Sequence, residues 1–181
     1  MRHIKLFANA LFITALLTTG AAFATEQSIN ITAVKTSDVR NLVIHENQTL
    51  SAAQPTSEQL KQLANAGVKH VINLRGENEQ DWDEAQLVAS LGMQYHALPI
   101  AGAQDVSVEN AQKLAKIMAE LNGEPVLLHC ASSNRVGALM AISAHAEGLD
   151  IESALAKGKH WGMSSLEPVV HSVITAKYIT K

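Results

Sequence analysis

The residues of greatest chemical interest lie in a short loop that contains the only cysteine of the chain. The apolar run Val126–Leu128 leads into His129 and Cys130, and four small residues separate this cysteine from Arg135. A single cysteine forms no intramolecular disulfide, so its thiol is either structural or used in chemistry. The arginine favours oxyanion binding because its planar guanidinium matches such groups.

The pattern around the loop predicts where the thiol lies. The apolar run predicts a strand, and the residues from Arg135 onward, RVGALMAISAH, predict a helix. The unpaired N–H groups and partial positive charge at a helix amino terminus favour both a thiolate and a bound oxyanion. An ionised sulfur facing such groups and Arg135 is suited to attack on phosphorus with a covalent intermediate, and this chemistry needs no metal or other cofactor.

The segments before the loop alternate between helix and strand patterns. PTSEQLKQLANAG, DWDEAQLVASLG and SVENAQKLAKIMAELNG predict helices, the first with a capping box formed by Thr56 and Gln59. VKHVINL, MQYHALPI and PVLLH predict the strands that follow them. This alternation predicts an α/β fold with a mainly parallel central sheet flanked by helices. We also expect short strands in SINITAV and NLVIHEN, a central position for PVLLH, and an all-helical C-terminal third.

Residues 1–24 have the pattern of a secretory signal peptide. Arg2 and Lys5 form a basic start, residues 6–17 are mostly apolar, and residues 22–24 match the small-x-small cleavage pattern. The apolar stretch is shorter than the roughly 20 residues of a membrane-spanning helix. We therefore expect a cleaved signal, no stable membrane anchor and a periplasmic or secreted protein.

The remaining residues, 25–181, have a length that fits one domain. The full chain carries a net charge of −3 and shows no clustered basic stripe. Nucleic acid is therefore not an expected partner. The sequence does not indicate an oligomeric state.

The loop and its surroundings resemble a known enzyme family. His129-Cys130, a short loop, Arg135 and the helix VGALMAISAH are similar to the signature of cysteine-based protein tyrosine and dual-specificity phosphatases. With VINLRGE and YHALPIAG on two earlier strands, the pattern resembles a bacterial phosphatase-like domain family that also occurs fused to β-lactamase-like hydrolases. The resemblance spans residues 35–150. It implies a phosphotyrosine-phosphatase-like fold for the whole domain and hydrolysis of a phosphorylated small molecule or phosphoprotein.

The resemblance also implies roles for individual residues. Cys130 would be the nucleophile, Arg135 the phosphate clamp, and His129 a support for the loop. Asp105 in AGAQDVSVEN would be the general acid, with Asp81 and Asp83 as alternatives. The backbone N–H groups that bind the phosphate would be those of Ala131, Ser132, Ser133, Asn134 and Arg135.

Three features depart from the phosphatase signature and leave alternatives open. Four residues rather than five separate Cys130 from Arg135, a spacing found in many rhodanese-type sulfurtransferases, which would carry a persulfide on Cys130. The mid-loop glycine is missing, so we expect Ser133 to adopt a conformation that glycine adopts more easily. Val136 replaces the usual serine or threonine, which would suit a non-catalytic module that only binds phosphate. Arg75 and Glu77, after the VINL strand, are interpreted as a structural ion pair.

Overall fold

A five-stranded sheet forms the centre of the protein. The computed structural model describes residues 28–46 and 48–176, so the predicted signal peptide, residues 1–24, lies outside the described residues. The sheet order is β1-β2-β5-β3-β4, in which β1 is antiparallel to β2 and all other pairs are parallel. The strands are β1 (Val43–Ile44), β2 (Thr49–Ala52), β3 (His70–Asn73), β4 (Gln94–Ala97) and β5 (Val126–His129).

Helices pack on both faces of this sheet. Two single-turn 3-10 helices, Glu77–Glu79 and Ala103–Asp105, follow β3 and β4. Within the described ranges, no helix is both long and apolar enough to cross a membrane. The α-helices are α1 (Ile31–Thr36), α2 (Ser57–Asn65), α3 (Glu84–Ser90), α4 (Val108–Glu120), α5 (Asn134–Ala146), α6 (Ile151–His160) and α7 (Glu167–Ala176).

The central strand β5 is buried on both sides. Leu127 packs into the apolar layer beneath the first three helices, whereas Leu128 packs into the layer beneath the last four. Successive side chains of a strand point to opposite faces of the sheet. A continuous apolar run in β5 therefore contributes side chains to the apolar layers on both faces. The same alternation continues to the strand end, where Cys130 joins the second layer.

Most of the predicted elements are confirmed. The sheet is mainly parallel, PVLLH is its middle strand, and the chain after Arg135 is helical as far as it is described. The capping box at the start of α2 is also present: Gln59 N donates to Thr56 Oγ1, and Thr56 N donates to Gln59 Oε1.

The two expectations about the first strands need correction. SINITAV is not a strand, because residues 31–36 form α1, whose amino terminus is capped by the side chain of Asn30. NLVIHEN contributes only the two residues of β1. The strand β2, which pairs directly with β5, was not predicted, since its sequence TLSA is neither an apolar run nor rich in β-branched residues.

Candidate active site

The loop after β5 lies at the carboxyl end of the sheet. Cys130 follows the strand directly, is unpaired and is completely buried. Ser132 forms an isolated antiparallel bridge with Ala53, just after β2. Helix α5 then begins, and its N-cap residue, Ser133, makes no side-chain capping bond. The first N–H groups of α5 have no partner within the helix and are therefore available to a ligand.

Two side chains from the turn before β1 hold the outer side of the loop. Arg40 Nη2 donates to the carbonyl oxygen of Ala131 at 2.9 Å, and Asn41 Nδ2 donates to that of Ser132 at 3.1 Å. The peptide bonds are trans, so the N–H groups of Ser132 and Ser133 point away from these two side chains. Arg40 and Asn41 therefore leave these two N–H groups unblocked, and their role in binding an anion stays a prediction.

Ser133 has the left-handed conformation expected where the glycine is missing, with φ 71°. Its hydroxyl donates to the carbonyl oxygen of Trp161 at 3.0 Å. Gly162 packs so closely that a Cβ there would lie 2.5 Å from the Ser133 Cβ. The segment after α6 therefore stabilises a backbone conformation that is unfavourable for serine.

Asn134 uses its side chain for structure. Its Nδ2 donates to Ser165 Oγ at 2.8 Å, and its Oδ1 accepts from Ser164 N at 2.8 Å. These bonds join the start of α5 to the segment before α7. Only the backbone N–H of Asn134 is then left for the predicted phosphate cradle.

Arg135 is anchored by acceptors from two neighbouring strand ends. Its Nη1 donates to Ile100 O at 2.6 Å, after β4, and to Leu74 O at 3.3 Å, after β3. Glu79 makes a bidentate pair with it, Oε1 with Nη1 at 2.6 Å and Oε2 with Nη2 at 2.5 Å. The Arg135 side chain is only 14% exposed. The guanidinium is thus fixed in position rather than free in solvent.

Arg135 and the groups around it stabilise each other in their charged forms. The hydrogen bonds with Glu79 raise the pKa of Arg135, and the neighbouring Cys130 raises it further by attracting the positive charge. The same hydrogen bonds from Arg135 hold the pKa of Glu79 below its ordinary value of 4.5. Cys130 therefore faces a permanent positive charge, even though much of its surroundings is apolar.

Sequence reasoning missed Glu79. It lies in a short turn after β3, where a glutamate in a polar stretch gives no signal of a structural contact. The ion pair that the structure describes for Arg75 is also with Glu79, with Nε and Oε2 3.8 Å apart. The side chain of Glu77 lies outside the description, so its pairing with Arg75 stays a prediction.

His129 lies against a buried carboxylate that sequence reasoning also missed. Its Nε2 is 3.2 Å from Glu84 Oε1, and neither side chain is exposed. Burial alone would raise the pKa of Glu84, but contact with His129 and hydrogen bonds from Gln80 and Gln54 hold it below its ordinary value. Glu84 is in the first turn of α3, a position where a glutamate is normally solvated.

The predicted general acid, Asp105, belongs to the loop after β4. Its Oδ2 accepts from Ala101 N at 2.8 Å, and its carbonyl oxygen accepts from Asn110 Nδ2 at 2.7 Å. The bond from Arg135 to Ile100 O anchors the start of the same loop. Asp83, an alternative acid, caps α3 through Gln86 N. The role of Asp105 stays a prediction.

Comparison with known proteins relates the chain to phosphatases. The model of a family described as DSP-PTPase phosphatase fused to NAD+ kinase matches residues 24–166. No curated protein sequence matches the chain.

Several solved structures share the fold. A DUF442 protein from Shewanella putrefaciens CN-32 is 24% identical with a TM-score of 0.62, over 82% of this chain and 99% of that one. Tk-PTP in its active form is 19% identical with a TM-score of 0.59, over 74% and 95% of the two chains. TpbA from P. aeruginosa in complex with phosphotyrosine is 20% identical with a TM-score of 0.58, over 74% and 82%. At these identities the likeness shows a common fold.

Two substitutions of Ser133 distinguish the stabilisation by its side-chain hydrogen bond from the energetic cost of its left-handed backbone conformation. Ser133→Ala keeps the left-handed strain and leaves Trp161 O without its donor, so we expect a loss of about 1–2 kcal/mol in the free energy of unfolding. Ser133→Gly loses the same bond but relieves the strain, so its stability should stay within about 1 kcal/mol of the wild type. Chemical denaturation measures both, with Ser90→Ala, an exposed serine bonded to Leu87 O, as control. Equal losses in the two variants would contradict this explanation.

Glu79→Gln tests the anchoring of Arg135. We expect the kcat/KM for an aryl phosphate to fall on the order of tenfold, because a charge-assisted bidentate contact is lost. Glu120→Gln, which changes an exposed glutamate 4.0 Å from Lys116, should have no effect.

The ion pair between Glu79 and Arg135 should make the free energy of unfolding depend on pH in a defined direction. Since its pKa is lowered in the folded protein, Glu79 adds stability above its ordinary value of 4.5, and this stability is lost as the pH falls through the lowered pKa. The difference in unfolding free energy between wild type and Glu79→Gln should therefore be larger at pH 7 than at strongly acidic pH. A difference that is constant with pH would contradict the ion pair.

Proposed function

Because the chain belongs to the family described as DSP-PTPase phosphatase fused to NAD+ kinase, we propose that it hydrolyses phosphomonoesters through a phosphocysteine on Cys130. The observation that carries the proposal is the anchored guanidinium of Arg135 beside this thiol, at the amino terminus of α5. Together they provide a nucleophile and a preformed site for the charge of a phosphoryl group. These are the features that attack on phosphorus requires.

In the first step, the thiolate of Cys130 attacks phosphorus as the bond to the ester oxygen breaks. The N–H groups of the loop and Arg135 stabilise the negative charge on the phosphoryl oxygens. Asp105 gives its proton to the departing oxygen, which leaves as an alcohol or phenol. The product of this step is a cysteine-bound phosphoryl group.

In the second step, water attacks phosphorus and the bond to sulfur breaks. The ionised Asp105 accepts the proton that the water loses, so the acid of the first step becomes the base of the second. Inorganic phosphate leaves, and both the thiolate of Cys130 and the protonated Asp105 are restored. Val136 cannot stabilise the departing thiolate by hydrogen bonding, so we expect this second step to limit turnover.

An aryl phosphate such as phosphotyrosine is the proposed type of substrate. The similar fold of TpbA has been solved with phosphotyrosine bound. Cys130 has no exposed surface, so only a substrate that brings its phosphoryl group deep into the loop reaches the sulfur, after local movement of the loop. Both a phosphoprotein and a small phosphorylated molecule meet this requirement.

We further propose that the enzyme acts in the periplasm or outside the cell, on the basis of the signal-like pattern of residues 1–24. The mature chain should begin at Thr25. Mass spectrometry of the protein from a periplasmic or culture fraction measures this end directly. A chain that retains its first 24 residues and stays in the cytoplasm would contradict the proposal.

A direct assay separates this function from the two alternatives. Wild-type protein should release phosphate from p-nitrophenyl phosphate and phosphotyrosine, and Cys130→Ser should reduce the rate to background. The control Ser90→Ala should retain full activity. Mass spectrometry after acid quenching should find a phosphoryl group on Cys130.

Two outcomes of this assay would overturn the proposed function. Formation of thiocyanate from thiosulfate and cyanide, without phosphate release, would identify a sulfurtransferase. Stabilisation of the protein by phosphate without turnover in either assay would identify a phosphate-binding module.

A further inference from the structure

The buried contact between Glu84 and His129 lies next to the catalytic cysteine but has no part in the mechanism above. We propose that Glu84 is a positioning residue for catalysis, which keeps His129 protonated so that its positive charge stabilises the thiolate of Cys130. This inference rests on the proposed function, because it concerns the same nucleophile. It adds a residue on α3 to a site otherwise built from the strand ends and α5.

The first argument is the environment of the Glu84 carboxylate. Its side chain has no exposed surface, and an isolated buried carboxylate is destabilising by several kcal/mol or more. Three neutral amides donate to it: Gln54 Nε2 at 2.9 Å, Asn73 Nδ2 at 2.9 Å and Gln80 Nε2 at 2.8 Å. Such a shell of donors stabilises the ionised form of a carboxyl group.

The second argument is the position of the charge that balances it. The histidine ring faces Oε1 through Nε2, and attraction between the two groups favours the charged form of Glu84. Tyr95 and Arg75 also border this cluster, but Arg75 Nη1 donates to Gln54 Oε1 rather than to Glu84. An ionised carboxylate in front of Nε2 favours a proton there, because two lone pairs would repel each other. A buried negative charge is also normally balanced by a positive group, and the His129 ring provides one when both of its nitrogens are protonated.

The third argument is the place of His129 in the strand. His129 ends β5 and Cys130 is the next residue, so their side chains leave opposite faces of the same strand end. Both ring nitrogens of His129 are buried, and neither has a partner with hydrogen-bond geometry among the described residues, so the 3.2 Å approach of Nε2 to Glu84 is an ionic contact. A protonated ring at this strand end is a positive charge on the residue next to Cys130, and a nearby positive charge favours the ionised form of a thiol.

Glu84→Gln tests this role, since it removes the charge while keeping the shape of the side chain. The rate of Cys130 alkylation by iodoacetamide is measured from pH 5 to pH 9 in the folded protein. We expect the midpoint of the profile to move to higher pH, with a rate several-fold to about tenfold lower at pH 6 and an unchanged plateau. Glu58→Gln is the matched control: it changes an exposed glutamate in the first turn of α2 and should leave the profile unchanged.

A purely structural role for Glu84 predicts a different result. Loosening of the loop would change the alkylation rate by a similar factor at every pH, without moving the midpoint, and this outcome would overturn the proposal. An unchanged profile in Glu84→Gln would overturn it too. His129→Gln should shift the midpoint as Glu84→Gln does, and the double variant should shift it no further, because Glu84 acts through His129. Additive shifts would contradict that route.

One measurement needs no variant and applies even where Glu84→Gln does not fold. The nitrogen-15 NMR signals of the His129 ring in the wild-type protein should show both ring nitrogens protonated at neutral pH, and a ring that lacks the proton on either nitrogen would refute the proposal. Different results would contradict the proposed function and the proposed role of Glu84. Wild-type protein without phosphatase turnover contradicts the proposed function, whereas an active wild type with an unshifted Glu84→Gln profile contradicts only the role of Glu84.

Discussion

The candidate site depends on the fixed position of one guanidinium. Arg135 begins in the first turn of α5, reaches the ends of β3 and β4, and is held there by Glu79 and the carbonyl oxygens of Leu74 and Ile100. An arginine on a loop would lose side-chain entropy whenever it bound a phosphate. In this protein the contacts of Arg135 already restrict its side chain in the folded state. Most of this entropy is therefore lost on folding, before a phosphate binds. The same contacts join the turn after β3 and the start of the loop after β4 to the site.

The alternation of side chains along β5 divides the site into two environments. Cys130 joins the apolar layer beneath α4–α7, whereas His129 lies in a polar cluster with Glu84 on the other side. The thiol is thereby shielded from solvent, and the positive charge of Arg135 lies near it. A buried cysteine with such a neighbour is compatible with the nucleophilic role that we propose for it. Ser133 completes the loop in a strained conformation that Trp161 and Gly162 hold in place.

Much of the fold was predictable because its signals are local. Periodic apolar residues, the capping box of α2 and the apolar run of β5 each depend on residues close in sequence. The left-handed conformation of Ser133 was expected from the resemblance instead, because the phosphatase signature has a glycine in this loop. The features that the sequence did not predict depend on contacts between residues that are far apart in sequence. Glu79 and Glu84 look like solvated acids in sequence, yet one binds Arg135, 56 positions away, and the other contacts His129 at the end of β5. Likewise β2 is defined by pairing with β5 rather than by its own four residues.

The most direct test of the account is the alkylation of Cys130 in the presence and absence of inorganic phosphate. An ionised thiol within an anion site predicts measurable modification by iodoacetamide near pH 6, and phosphate should slow it in a saturable way. Arg135→Ala should abolish the protection, because the principal charge that binds phosphate is then lost. A thiol that reacts only at alkaline pH, at a rate independent of phosphate, would contradict the claim that Cys130 is a nucleophile in a phosphate-binding loop.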